Sequence, residues 1–180
     1  EGHLSIAAST TIGSHVLPAF LIQFTKRFQK VSLNLSIGNS DEVIKLVRAG
    51  ECPLGLVEGI SKAAGIRTQK FLFDELIPVS SPLVATGIRH VSQLSKVPIL
   101  WRERGSGTRA VVEKALLQMS VPKKKLLSRF ELGSTEAIIT AACEGLGIAF
   151  VSRWSIKQEL NSGTLKIIPI PEIHIPRIFS

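Results

Sequence analysis

The chain has 180 residues, 44% hydrophobic and 20% charged, which is enough apolar material for one full core or two small ones and too much for disorder. Its formal net charge is +8, but Lys and Arg are scattered apart from Lys123-Lys124-Lys125 after Pro122; the charge reads as a basic surface that attracts anionic ligands rather than a nucleic-acid face. Apolar runs fall short of the roughly 18 residues of a membrane span, Glu1-Gly2-His3 does not open a secretory signal, and the widely separated Cys52 and Cys143 read as two buried reduced thiols of a cytoplasmic protein.

Residues 4 to 8 form the first expected strand, which runs into the hydroxyls Ser9, Thr10 and Thr11. Thr11 or a neighbour is expected to cap the turn that follows. Val16, Leu17, Phe20, Leu21, Phe24 and Phe28 then recur at helical spacing, with Pro18 tolerated if the main helix begins near Leu17. Hydroxyls and backbone N–H groups at a helix start make a natural anion site.

Val31, Leu33, Leu35 and Ile37 alternate with polar residues and predict a half-buried strand. Ser40 is the expected N-cap of a second helix, carrying Asp41 and Glu42 in its first turn and ending at Gly50. Leu54 to Gly59 reads as a buried strand closed by Glu58. This β-α-β-α-β order predicts a parallel sheet with ligands at the strands' carboxyl ends. Ser9 to Thr11, Asn39 to Ser40, and Glu58 all fall there.

Two extended segments, 66–73 and 75–80, lead to a crossover punctuated by Pro78, Ser80, Ser81 and Pro82. Beyond it come a strand at 97–101, a helix from near Thr108, a strand at 127–132, a helix opened by Ser134-Thr135-Glu136, a strand at 148–152, a short helix over roughly 153–160 and an extended stretch at 165–170. The second half thus repeats the β-α-β-α-β pattern of the first, with hydroxyl turns at Ser106/Thr108 and Ser134/Thr135.

Catalytic signatures are missing. Ser106 lies in Gly-Ser-Gly rather than Gly-x-Ser-x-Gly, neither glycine-rich turn matches a dinucleotide or Walker loop, and the four histidines lack metal-ligand spacing. Glu58 has no nucleophile or metal beside it in sequence, so it reads as a carboxylate that bonds a backbone N–H or a ligand hydroxyl. The expectation is a sensor without enzymatic activity, metal or cofactor.

Several blocks together resemble the effector-binding domain of LysR-type transcriptional regulators: residues 2–13, Val16-Leu17-Pro18, Gly38-Asn39-Ser40, residues 54–59, residues 102–109 and residues 144–149. The blocks around Glu58 and Gly105-Ser106-Gly107-Thr108-Arg109 look closest to regulators of sulfur assimilation or carbon fixation. The resemblance implies an α/β fold of two Rossmann-like lobes, similar to type 2 periplasmic binding proteins, with an effector cleft between them. The first lobe would comprise 1–79 and 166–180, and the second 80–165. An N-terminal winged helix-turn-helix would supply all DNA contact, and it is absent from this chain.

By position, the implied effector contacts are Ser9, Thr10, Thr11, Asn39, Ser40 and Glu58 from the first lobe, and Trp101, Arg102, Ser106, Thr108 and Ser134 from the second. The implied effector is a small anion such as sulfate, a carboxylate or a phosphorylated metabolite. The implied assembly is a homodimer or homotetramer, with the helix 17–28 of one subunit near the helix 108–119 of the other. Two departures stand out: Pro53 replaces a frequent Asp, and the chain stops before the family's last strand and helix. A solute-binding protein of a transport system shares the two-lobed plan and is the alternative.

Overall fold

The computed structural model describes residues 2–59, 65–84 and 87–180. The chain forms two compact units, one from 1–73 with 178–180 and the other from 74–177. No helix among the described residues is long and apolar enough to cross a membrane.

The first unit holds β1 (Gly2–Ser9), α1 (Leu17–Arg27), β2 (Val31–Gly38), α2 (Ser40–Arg48) and β3 (Leu54–Leu56). Its sheet has the order β2-β1-β3, and both pairings are parallel, as the alternation of strands and helices predicts. The central strand is buried over Ile6 to Ser9, whereas β2 alternates half-buried Val31, Leu33 and Leu35 with exposed Ser32 and Asn34. Gly55 lets α2 lie directly on the sheet: a Cβ there would stand 2.7 Å from Val47 Cγ2 and 2.9 Å from Val43 Cγ1.

The first helix departs from expectation. The backbone turns helical at Thr10, and Ile12–Val16 forms a π turn closed by Leu17 N–H on the Ile12 carbonyl. Pro18 supplies no N–H, so the ordinary helical ladder has to break beside it, and the wider turn is where it breaks. Thr11 is itself helical (φ −59°, ψ −44°) and its side chain caps nothing. The N-cap of α2 is Asn39 rather than Ser40: its Oδ1 accepts from Glu42 N–H at 3.0 Å, and Glu42 Oε2 accepts from Asn39 N–H at 2.8 Å.

The returning chain completes this unit. Val57 and Ser180 exchange backbone bonds at 2.8 and 3.0 Å, and Gly59 N–H reaches the Ile178 carbonyl at 2.9 Å. Phe179 is fully buried among Ile6, Ile12, Val16 and Leu17.

The second unit takes in most of β4 (Leu72–Ser80) and β9 (Ile175–Phe179), with β5 (Pro98–Arg102), α3 (Gly107–Gln118), β6 (Leu127–Leu132), α4 (Thr135–Cys143), β7 (Ile148–Ser152), α5 (Lys157–Ser162) and β8 (Lys166–Ile167) between them. The sheet order is β6-β5-β7-β4-β8, with β9 on β4. The β6-β5-β7 part is parallel and repeats the β2-β1-β3 order. β4 runs antiparallel to both β7 and β8, a direction that hydrophobic patterning does not encode. Both faces of the sheet are covered: Leu76, Ile99 and Ile148 pack with Val112 and Leu116 of α3, and Val79, Leu100 and Val151 pack with Ile138 and Ala142 of α4.

The expected division at 79/80 and 165/166 differs from the units seen, which meet at 73/74 and 177/178, inside β4 and β9. The proline-rich punctuation at 78–82 ends a strand and does not separate the units. Of the expected strand at 66–73, only Leu72 and Phe73 are extended in a ladder. The cysteines are unpaired; Cys52 is buried and Cys143 half-buried.

Gly147 of the second unit is tightly placed: a Cβ there would lie 2.3 Å from the Pro98 carbonyl oxygen. Backbone cannot swing aside as a side-chain tip can. Gly147→Ala is therefore expected to destabilise the chain by about 1–3 kcal/mol, measured as a lower denaturation midpoint in urea with an unchanged slope.

Candidate functional site

Strand register gathers the first unit's candidate residues at one sheet edge. Ser9 pairs with Gly38, one residue before Asn39, and Ala8 pairs with Leu56, two residues before Glu58. Glu58 is buried, and its Oε1 accepts from Ser9 Oγ and from Thr11 N–H, both at 3.1 Å. Two of the donors expected to hold an anion thus hold the protein's own carboxylate, placed where the first helix begins and its dipole is positive. Thr10 is half-buried in the same turn. Asn39 is engaged in the α2 cap. The neighbouring Ser40 is 5% exposed, and its Oγ has no hydrogen-bond partner among the described residues. Asp41 and Glu42 add two carboxylates to that helix's first turn.

The second unit has a corresponding edge, where guanidinium groups are buried beside the helix starts. Arg102 ends β5 and pairs with Leu132 at the end of β6. Its guanidinium is buried, gripping Glu103 through Nε at 2.7 Å and Nη2 at 2.9 Å, and donating from Nη1 to Thr135 Oγ1 at 2.8 Å. Ser106 caps α3 by accepting from Arg109 N–H at 3.3 Å, and Ser134 caps α4 by accepting from Ala137 N–H at 3.0 Å. Thr108 is buried, and its Oγ1 accepts from Arg177 Nη1 at 2.8 Å. Trp101 belongs to the core: its indole N–H reaches Ser128 Oγ at 2.9 Å, and the Lys123 ammonium lies 4.8 Å from the ring centroid.

Sequence reading missed Arg177, Asp74 and Ser152. Arg177 Nε donates to Asp74 Oδ2 at 2.5 Å, and Asp74 Oδ1 accepts from Ser152 Oγ at 2.7 Å. The partners are 103 and 78 positions apart, beyond any local pattern. One signal was available: Arg177 shares the inward face of β9 with Ile175 and Phe179, and a charge on a buried face requires a partner.

A cavity of about 450 Å³ in the first unit lies along β3 and α2. Its walls include Val43, Val47, Leu54, Leu56, Ile66 and Phe71, with Arg67 as the charged member. None of the predicted contacts lines it.

The whole chain, residues 1–180, matches the family model described as the LysR substrate binding domain. The chain belongs to that family. This LysR domain is 36% identical over 180 residues to the uncharacterized HTH-type transcriptional regulator YeiE of Escherichia coli (strain K12), covering 99% of this chain and 59% of the relative. It is 31% identical over 183 residues to the HTH-type transcriptional regulator CysL of Bacillus subtilis (strain 168), covering 100% and 60%. Among solved structures, the CcmR regulatory domain of Synechocystis PCC6803, in complex with 2-PG, matches with a TM-score of 0.87 and 27% identity, covering 99% of this chain and 86% of that one. The LysR domain spans about three fifths of the length of the two curated relatives.

A charge cluster flanks the α3 turn of the LysR domain. Arg109 bonds Glu113 at 2.9 Å, Glu131 at 2.7 Å and the Arg102 carbonyl at 2.8 Å, and Lys123 lies 3.1 Å from Glu113. Burial opposes the charge of Arg109, but the two carboxylates outweigh it and hold the guanidinium above its ordinary range. Burial likewise opposes ionisation of Glu113, and Arg109 and Lys123 outweigh it, so the carboxyl sits below its ordinary 4.5. The Arg109 bond lowers Glu131 as well. Carboxyls depressed on folding stabilise the native state above their unfolded value and lose that contribution as pH falls through the folded value. The melting temperature is therefore expected to fall below about pH 4.5, and less steeply in Glu113→Gln/Glu131→Gln than in the unmodified chain, as followed by circular dichroism.

Proposed function

We propose that this LysR domain is the ligand-sensing and dimerising part of a cytoplasmic transcription regulator, that it binds a small anionic effector without catalysis, and that it acts on DNA through a separate helix-turn-helix domain. The regulator names of YeiE and CysL support this reading, as does the 2-PG bound to the Synechocystis relative. A ligand regulates only by binding two states with different affinity.

One observation supports placing the anionic group at α3. The helix starts of the first unit are already supplied with carboxylates: Glu58 at the first helix, and Asp41 and Glu42 at α2. The twelve-residue α3 opens with Ser106 and Thr108 and has no acidic residue in its first turn. We infer that the anion is received there, where hydroxyl donors and the positive end of the dipole coincide, with Arg102 and Ser134 at the same sheet edge. Ser9, Thr10, Thr11, Asn39, Ser40 and Glu58 would then recognise the effector's uncharged part. A carboxylate-rich turn with the buried Ser40 hydroxyl suits a hydroxyl or amide of the ligand better than a second negative charge. Trp101 would act through packing alone.

Calorimetric titration with sulfate, inorganic phosphate and 2-PG tests this. Thr108→Val is expected to weaken the best-bound anion about tenfold, the scale of one hydrogen bond to a charged group. Equal affinity in the variant and the parent would remove α3 from the site. The dimer reading rests on exposed apolar residues of α1 and α3, Phe20 at 53%, Ile22 at 58% and Leu117 at 62%. Sedimentation equilibrium is expected to give a dimer, and Ile22→Glu a monomer with an unchanged melting temperature.

A further inference from the structure

The cavity of the first unit, about 450 Å³, falls within the roughly 300–1,000 Å³ of small-molecule sites, which are mostly apolar with a few polar groups that fix orientation. Its apolar walls include Ile44 and Val47 of α2, Leu54 and Leu56 of β3, and Ile66 and Phe71. Leu54 and Phe71 are each 44% exposed, so apolar surface stands in contact with water there. The polar side is concentrated in the exposed stretch Arg67-Thr68-Gln69, which runs between Ile66 and Phe71. Arg67 is the charged residue of the lining, and no acidic residue joins it among the described residues. No carboxylate of the described residues pairs with Arg67 elsewhere.

This lining selects a ligand by the sign and by the amount of its charge. A guanidinium takes a carboxylate through two parallel hydrogen bonds. One guanidinium matches one carboxylate; a second negative charge set against Leu54 or Ile66 would lose its hydration without gaining a partner. An amine would meet a like charge at Arg67. We propose that the cavity is a binding site for a small monocarboxylate with an apolar body, its carboxylate on Arg67 and its body against α2 and β3. None of the residues assigned to the effector lines this cavity, so the site is independent of the anion placed at α3.

Octanoate is the probe on the 180-residue chain, with 1-octanol as its uncharged counterpart and octylamine, protonated at neutral pH, as its cationic one. In calorimetry octanoate is expected to bind saturably with one site per chain, and more tightly than either control. Arg67→Gln, at an exposed position, is expected to weaken octanoate about tenfold and to leave 1-octanol unchanged. Leu54→Glu sets a carboxylate against the ligand at a residue already partly exposed, and is expected to abolish octanoate binding with the melting temperature kept. Amide resonances are expected to shift with octanoate in 43–47, 54–57 and 66–71, and to stay in place in 98–102 and 148–152. Absence of saturable octanoate binding, equal octanoate affinity in Arg67→Gln and the parent, or shifts centred outside those three stretches would each overturn the site. Conversion of a dimer to a monomer by Leu54→Glu in sedimentation equilibrium would show that a second copy of the chain covers the cavity, and would overturn it as well. Failure of sulfate and inorganic phosphate to bind would remove the α3 reading and leave the octanoate result standing.

Discussion

The carboxylate of Glu58 lies buried at the start of the first helix, with Ser9 Oγ and Thr11 N–H both donating to one of its oxygens. Three chain segments converge on it: the end of β1, the first helical turn and the stretch after β3. The residues on either side of it carry the returning chain, since Val57 bonds Ser180 and Gly59 bonds Ile178. A buried charge holds its place only when it is hydrogen-bonded, and a buried donor is costly when it loses its acceptor. Glu58 meets both requirements at once. The short β3, three residues long, can therefore end where it does.

The second unit repeats the sheet order of the first and solves the matching problem with cations. Its helix starts are capped by Ser106 and Ser134, and the buried charges beside them are Arg102 on Thr135 and Arg177 on Thr108. The strand-end turns of the first unit thus hold a buried carboxylate, and those of the second hold buried guanidinium groups. Breaking a buried pair by removing one partner is far costlier than never having had it. The chain is thus committed to Asp74 opposite Arg177, even though an apolar pair of similar volume would satisfy the core. What the charged pair adds over an apolar one is direction: a guanidinium held so that it donates to Thr108.

Sequence reading reached much of this. The order of strands and helices, the parallel pairing at the heart of each unit, and the hydroxyl turns at the strand ends follow from period-2 and period-3.6 patterns and from capping chemistry. Pro18 pointed to a break, but the π turn that absorbs it is a register choice that propensity does not specify. The Ser40 cap was off by one residue because Asn39 and Ser40 are both good caps, and only the Asn39–Glu42 reciprocity decides between them. The antiparallel addition of β4 and β8 was hidden because an apolar strand reads the same in either direction. Asp74 and Arg177 were hidden for another reason. Each sits inside an apolar strand, and its partner lies over a hundred residues away.

A helix cap and a ligand contact are often treated as competing roles for a serine or threonine, and the α3 turn shows why they need not compete. A capping hydroxyl accepts with a lone pair; it does not use its hydrogen. Ser106, accepting from Arg109, and Thr108, accepting from Arg177, are both engaged through their oxygens. The structural role therefore engages the oxygen. The donors at this turn, Arg109 N–H and Arg177 Nη1, are spent on hydroxyl oxygens, and the positive end of the helix dipole beside them favours negative charge. In the first unit the chain of donors ends on Glu58, inside the protein. In the second, Arg177 donates both to Asp74 and to Thr108, so a cation rather than a carboxylate is shared between the strands and the α3 turn.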